Sequence, residues 1–182
     1  MNKMITSINR KGDLSISING KSLANIGGGH FAVTKQDLNG ITLKDAHVQP
    51  HFTICDKIVH DEMEQGAMPY CVSKVNDEEA EIHYGVTSHT SCWHESLGPM
   101  KYMEAARLIV QKLAVSHDMV KISELSEDDE FIGFSFFVRF QGKTFDDVIR
   151  QADHLVGQIM EYLNHITDEV ADLVESELAK IQ

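Results

Sequence analysis

Cysteine, arginine and long apolar runs are scarce in this sequence, and each scarcity excludes a class of protein. The three cysteines form no C-x-x-C pair, and so odd and sparse a set is typical of free thiols in a reducing compartment. No stretch of about 18 apolar residues occurs, and residues 1–19 lack the apolar core of a signal peptide. The sequence therefore predicts a cytoplasmic protein without a membrane-spanning segment.

Positive charge is also in short supply. The chain holds 16 Lys and Arg against 28 Asp and Glu, a formal net charge of −12. Residues 1–55 carry a net +3 and residues 56–182 a net −15, and the four arginines lie far apart. A negative field of this kind repels phosphate, so we expect no nucleic-acid partner. A basic protein partner and mimicry of DNA by an inhibitor both stay open.

The first 55 residues predict a β-rich segment with several hairpins, which either joins a larger sheet or forms a small subdomain. Leu14–Ile18 alternates apolar and polar residues, and Asn19-Gly20 after it is the preferred pair for a two-residue hairpin turn. Met4–Ile8 is an earlier strand candidate, and Gly12-Asp13 closes the turn after it. The remaining strand candidates are Phe31–Thr34, Ile41–Leu43 and a pattern around Phe52 and Ile54. Residues 58–63 fit a short helix.

Residues 56–182 predict an α+β domain whose antiparallel sheet carries helices on one face. The predicted strands are 69–75, 80–87, 119–123 and 131–140, and the predicted helices are about 99–117 and about 144–181. The strand 131–140 has an apolar residue at every even position and anchors the core. Thr144 and Asp147 form a capping-box pattern that begins the last helix. The acidic stretch 124–130 predicts a solvated loop.

The length of the last helix predicts an oligomer. A helix of 38 residues spans about 57 Å, whereas a compact chain of this size is about 40 Å across. The distal half would then expose an apolar seam that a second chain covers, so we expect a homodimer or a higher closed oligomer. Fraying of the last turns is the alternative. The residues of this interaction seam are Ile166, Val170, Leu173, Val174 and Leu178.

A group of histidines and one cysteine is the densest candidate for metal chemistry. His83, His89, Cys92 and His94 offer the nitrogen and sulfur ligands that zinc prefers. Their spacing matches no standard zinc signature, and ten histidines in one chain make chance proximity common. We therefore expect polar surface histidines, with no metal and no cofactor. A second scatter, His47, His51, Cys55 and His60, is interrupted by Pro50 and is weaker still.

The same residues could support a thiol mechanism. Cys92 or Cys71 would be the nucleophile, with His83, His89 or His94 as the base. A reactive thiol needs a nearby imidazolium or a helix N-terminus, and Cys92 precedes the helix that begins near Pro99. The triple glycine at 27–29 lacks the lysine and the helix of a phosphate loop, so it indicates a turn.

The order of elements after residue 66 is two strands, a helix, two strands and a long helix. In this order alone the chain resembles the acidic chaperones of bacterial secretion systems, and the resemblance assigns no residue a role. The interpretation we favour is an acidic cytosolic interaction module, adaptor-like or chaperone-like, without catalytic activity. The first alternative is a small metal-dependent or thiol-dependent enzyme, or a ligand-binding protein, that uses residues 83–94. The second is a DNA-mimicking inhibitor.

Overall fold

The computed structural model describes residues 2–46, 51–54, 70–89, 99–114, 117–128, 131–159 and 161. The strands are β1 (Met4–Ile8), β2 (Leu14–Ile18), β3 (Lys21–Ser22), β4 (Ala24–Gly27), β5 (His30–Val33), β6 (His51–Ile54), β7 (Cys71–Asn76), β8 (Glu79–His89), β9 (Asp118–Ile122), β10 (Ser126–Glu127) and β11 (Phe131–Gln141). The helices are α1 (Lys35–Leu38), α2 (Pro99–Ala114) and α3 (145–159). A 3₁₀ turn covers Leu43–Asp45.

The first three strands form a small antiparallel sheet in the order β1-β2-β3. The turn after β2 has φ = 52° at Asn19 and 83° at Gly20. Two successive positive φ angles define the turn type whose twist matches that of paired strands, and asparagine followed by glycine tolerates them best. The predicted strands at 4–8 and 14–18 and the turn that follows them are confirmed.

The other strands form an eight-stranded sheet in the order β10-β11-β8-β7-β6-β5-β4, with β9 also paired to β11. The β5–β6 pair is parallel, whereas the other pairs in this sheet are antiparallel. The α+β class and the antiparallel pairing of the predicted strands in residues 56–182 are therefore confirmed, and the parallel pair lies within the first 55 residues. A parallel pair requires a crossover, and residues 34–50 provide it.

Strand β11 contributes a row of buried side chains to the core. All its even positions from Ile132 to Phe140 are buried, as the alternation predicts. Helix α2 covers this face with Met103, Ala106 and Val110. Helix α3 adds a stripe at helical spacing, and its buried apolar residues are Phe145, Val148, Ile149, Ala152, Leu155, Val156 and Ile159.

Helix α3 begins with the predicted capping box. Asp147 N donates to Thr144 Oγ1 at 3.2 Å, and Thr144 N donates to Asp147 Oδ2 at 3.3 Å. The hydrogen bond from the Thr144 hydroxyl, aided by backbone N–H groups and Arg150, outweighs the effect of burial and lowers the pKa of Asp147. The predicted continuation of this helix beyond residue 161, with the interaction seam from Ile166 to Leu178, lies outside the described residues.

The region between β5 and β6 differs from the sequence prediction. The strand expected at Ile41–Leu43 does not form, because two local caps favour short helical turns. Thr34 and Asp37 make a capping box for α1, and Thr42 Oγ1 accepts from Asp45 N to begin the 3₁₀ turn. Elsewhere the loop expected at 124–130 includes the short strand β10. The helix expected at 58–63 lies outside the described residues.

The buried apolar residues form one contiguous cluster. It extends from Met4 and Ile16 of the small sheet, through Phe31 and Phe52, to Ile159 of α3. Strands β4, β5 and β6 of the first 55 residues belong to the large sheet. A boundary near residue 55 between two domains stays a prediction.

Candidate functional site

The face of the large sheet opposite α2 and α3 carries a concentration of imidazole, thiol, hydroxyl and aromatic groups. We call it the open face, because its side chains are half-buried or exposed while those on the helix side are buried. Its principal residues are His30, His51, Thr53, Cys71, Ser73, Glu81, His83, Lys121, Phe137 and Arg139.

Strand register brings these residues together from distant parts of the chain. One row crosses the sheet through the pairs Thr53↔Cys71, Cys71↔His83, His83↔Phe137 and Phe137↔Lys121. Paired residues on neighbouring strands lie about 4.5–5.5 Å apart, and side-chain contacts join Thr53 to Cys71, His83 to Phe137, and Phe137 to Lys121. A second row begins at His30 and His51.

The centre of the open face is a small cluster of imidazoles and one thiol. The rings of His30 and His51 stack with centroids 5.0 Å apart, and His51 Nδ1 lies 2.6 Å from Ser73 Oγ. Cys71 Sγ lies 3.3 Å from Thr53 Oγ1 and 3.8 Å from His30 Nδ1. The thiol is therefore held by a hydroxyl on one side and an imidazole on the other.

An aromatic pair lies beside this cluster. His83 stacks on Phe137 with centroids 4.3 Å apart and an interplanar angle of 7°, and Lys121 Nζ lies 5.1 Å from the centre of the same phenyl ring. Burial lowers the pKa of His83; the Glu81 carboxylate opposes this effect, and His30 and Lys121 reinforce it. A neutral His83 ring packs on Phe137 without the cost of desolvating a charge.

The charges on the open face differ in balance from the rest of the chain. Arg139 Nε donates to Glu81 Oε2 at 3.3 Å, so one acid is compensated by one base. On β9, Lys121 and Asp118 add one charge of each sign to this face, in a protein with a net charge of −12. This face is therefore less acidic than the average surface of the chain.

The site residues predicted from the sequence differ in how far the structure describes them. His83 lies in the row just described, opposite Cys71. His89 ends β8, where its backbone pairs with Phe131; its side chain is outside the described part. Cys92 and His94 lie outside the described residues altogether. The metal and thiol hypotheses for residues 83–94 stay predictions. Among the side chains that the structure describes, no three His, Cys, Asp or Glu groups are placed to hold a metal ion together.

No pattern along the chain groups His30 with Cys71. In the sequence, His51 groups with its neighbours His47, Cys55 and His60, and Cys71 is a candidate nucleophile with His83, His89 or His94 as its base. The pairing of β5 with β6 and of β6 with β7 is what unites them. The polar residues in each alternating strand pattern do predict which face of the sheet a residue occupies. They do not predict which residues of other strands lie beside it.

Comparison with known proteins identifies no relative that has such a surface. No protein-family model, curated protein or solved structure matches the chain. None of the helices within the described ranges is both long enough and apolar enough to cross a membrane.

Proposed function

We propose that this protein is a non-catalytic interaction module of the cytosol, which holds a protein partner on the open face of its eight-stranded sheet. The observation that carries this proposal is the arrangement of the face. Half-exposed polar and aromatic side chains extend in rows across neighbouring strands instead of converging on one point.

The spread of these groups favours a macromolecular partner over a small substrate. His30 and Phe137 lie on strands four places apart in the sheet, which corresponds to about 19 Å at the usual spacing of strands. Ligand pockets of enzymes are concave, and cavities of about 300 and 370 Å³ in this protein are lined by residues elsewhere. A broad face suits a protein surface better.

The contacts within the face also favour binding over catalysis. Cys71 Sγ lies 3.3 Å from Thr53 Oγ1 and 3.8 Å from His30 Nδ1, so the thiol is closer to a hydroxyl than to a base. His51 and Arg139 already contact Ser73 and Glu81. Side chains that are held in this way present a preorganised surface, which lowers the entropy lost on association.

Phe137 is the residue from which we expect most of the binding energy. Aromatic residues are enriched at the centres of interfaces, and this one is half-buried between His83 and Lys121. Its ring lies within the row that crosses the sheet. A partner with an apolar group for Phe137 and an acidic group for Lys121 would complement the face.

Site-specific photocrosslinking in extracts of the native host tests the proposal. Benzoylphenylalanine at Phe137 should give a discrete crosslinked species, because the substitution conserves the aromatic ring. The matched control is the same probe at Ile8, which is exposed on the other sheet. The variant Phe137→Asp should abolish capture of the partner, and Ile8→Asp should not. Equal crosslinking from both positions, or none from Phe137, would contradict the proposal.

The contact between Cys71 and His30 favours a thiol-dependent protein as the second candidate. An imidazole beside a thiol promotes formation of the thiolate. If this candidate is correct, iodoacetamide should alkylate Cys71 much faster than it alkylates free cysteine at neutral pH. His30→Gln should remove that advantage, and mass spectrometry of the labelled peptides measures both rates.

A further inference from the structure

A groove lies between helix α2 and strand β9, on the side of the sheet that the helices cover. Its volume is about 300 Å³, and residues from both elements line it: Glu104, Arg107, Leu108, Gln111 and Ile122. This volume is at the lower end of the range for ligand sites. It accommodates one large side chain and a small polar group.

Arg107 gives the groove a specific chemical requirement. Its Nε is buried and has no hydrogen-bond partner within the part of the chain that the structure describes. A guanidinium stays charged at physiological pH and offers a planar array of donors that matches a carboxylate. A buried donor without an acceptor is unfavourable, so an acceptor bound in the groove would remove this cost, and a carboxylate is the strongest acceptor for arginine.

The apolar part of the groove is also uncovered. Leu108 is 62% exposed, although it lies on a helix whose neighbouring turns are buried in the core. Ile122 is half-buried and packs against the core from β9. An apolar side chain placed between these two residues would remove both from water.

Strand β9 supplies a third feature, a free edge. It pairs with β11 and, in the described ranges, with no other strand. Ser123 N donates to Ser135 O at 2.7 Å. Since backbone groups alternate in direction along an antiparallel strand, those of Ile122 point to the free edge. A register shift opposite Phe137 and Val138 disturbs the first half of β9, so the regular edge is the half beside the groove.

We propose that this groove binds the C-terminal end of an extended peptide, which adds to β9 as a further strand. The terminal carboxylate binds Arg107, the last apolar side chain packs between Leu108 and Ile122, and the peptide backbone pairs with Ile122. The net charge of −12 repels additional acids. A peptide whose sole carboxylate is its terminus therefore fits better than an acidic segment.

The groove is separate from the open face, because their side chains lie on opposite sides of the sheet; β9 contributes Ile122 to the groove and Lys121 to the open face. Binding of peptides here does not depend on the function proposed above. Phe137→Asp is expected to leave peptide binding unchanged, whereas a variant of the groove is expected to leave the crosslink from Phe137 unchanged. The two proposals can therefore fail separately.

Fluorescence polarisation with defined peptide mixtures tests the inference on the full chain. The probe is an equimolar mixture of labelled hexapeptides of Thr, Ser and Gln, with Leu, Val, Ile or Phe at the last position and a free carboxylate. The comparator is the same mixture with amidated ends. We expect saturable binding below about 1 mM, about tenfold or more tighter for the acids than for the amides.

Two variants and one control assign the binding to the groove. Arg107→Gln removes the guanidinium, and Leu108→Glu places a carboxylate at an exposed position that folding does not require. Each should weaken binding of the acids about tenfold or more. The control Lys112→Gln removes a charge from an exposed position on the same helix and should change nothing. Saturating peptide should also slow hydrogen exchange of the Ile122 amide.

Several results would overturn the inference. One is the absence of saturable binding by either mixture, and another is equal affinity for acids and amides. Unchanged affinity in Leu108→Glu would exclude the groove even if Arg107→Gln failed to fold. Displacement of the probe by isovalerate at equal concentration, without protection of Ile122, would indicate a site for small carboxylates and not for peptides.

Discussion

Replacement of Phe136 by alanine is the most direct test of the core. Phe136 is 1% exposed and lies on the helix side of β11. Its ring centroid is 5.4 Å from that of Tyr84, its pair on β8, and its partner on β9 is Ile122. The substitution Phe136→Ala therefore opens a cavity between three strands that α2 covers.

The expected decrease in the free energy of unfolding of Phe136→Ala is large enough to measure clearly. Phenylalanine-to-alanine changes in a core cost about 3–5 kcal/mol, because transfer of the ring and the residual cavity both contribute. For a chain of this size, about 1 kcal/mol corresponds to 2–4 °C in Tm. Phe136→Ala should therefore lower Tm by roughly 6–20 °C and shift the urea midpoint without a large change in the m-value.

The same strand offers a matched control. Phe131 is 44% exposed at the start of β11, so Phe131→Ala removes the same atoms from a ring that is already partly in water. We expect its free energy of unfolding to fall by less than about 1 kcal/mol. A loss below about 1 kcal/mol for Phe136→Ala, or equal losses for the two variants, would refute the assignment of β11 as the centre of the core.

Three further predictions concern the cap, the open face and the assembly. Thr144→Ala should lower the free energy of unfolding by about 1 kcal/mol at neutral pH. Because the folded-state pKa of Asp147 is lowered from 3.8, this loss should become smaller as the pH falls below that value. Urea titrations at several pH values measure it. The folded-state pKa of His83 is lowered from 6.5, so protonation favours the unfolded state as the pH falls through 6.5. His83→Gln should then lose less stability than wild type between about pH 7.5 and 5.5. Sedimentation equilibrium should give twice the chain mass of 20.4 kDa or a multiple, and Leu173→Asp should shift it toward one chain; a wild-type monomer at tens of micromolar would contradict the dimer.

Much of the fold was predictable because its signals are local. The period-two alternation of 131–140 predicted β11, the Asn19-Gly20 pair predicted the first hairpin, and Thr144 with Asp147 predicted the start of α3. Each of these patterns acts within a few residues, so propensity and periodicity are sufficient to identify it. The wrong strand at Ile41–Leu43 has a local cause too, since Thr42 competes for the backbone as a cap.

The candidate site was harder to predict because it is built by register. His30, His51 and Cys71 lie on three strands of which one pair is parallel, and no pattern along the chain indicates that β5 pairs with β6. A crossover of residues 34–50 decides this pairing, and its short helical turns were not predicted. The groove beside β9 likewise depends on how α2 lies along an edge strand, which amphipathicity alone does not determine.

The long-range pairing of β8 with β11 has a consequence for how the chain folds. The two strands match over eleven pairs, and the bond from Gln141 to Glu79 closes a separation of 62 residues. The β-bridge between Thr42 and Thr144 joins residues that are still farther apart along the chain. Leu43 N donates to Lys143 O at 2.9 Å beside this bridge. Such contacts incur loop-closure entropy before they stabilise anything, so folding should take milliseconds to seconds rather than microseconds. During synthesis, the edge of β8 that pairs with β11 stays unpaired until β11 has left the ribosome. In that interval the chain is most prone to aggregate or to bind a chaperone.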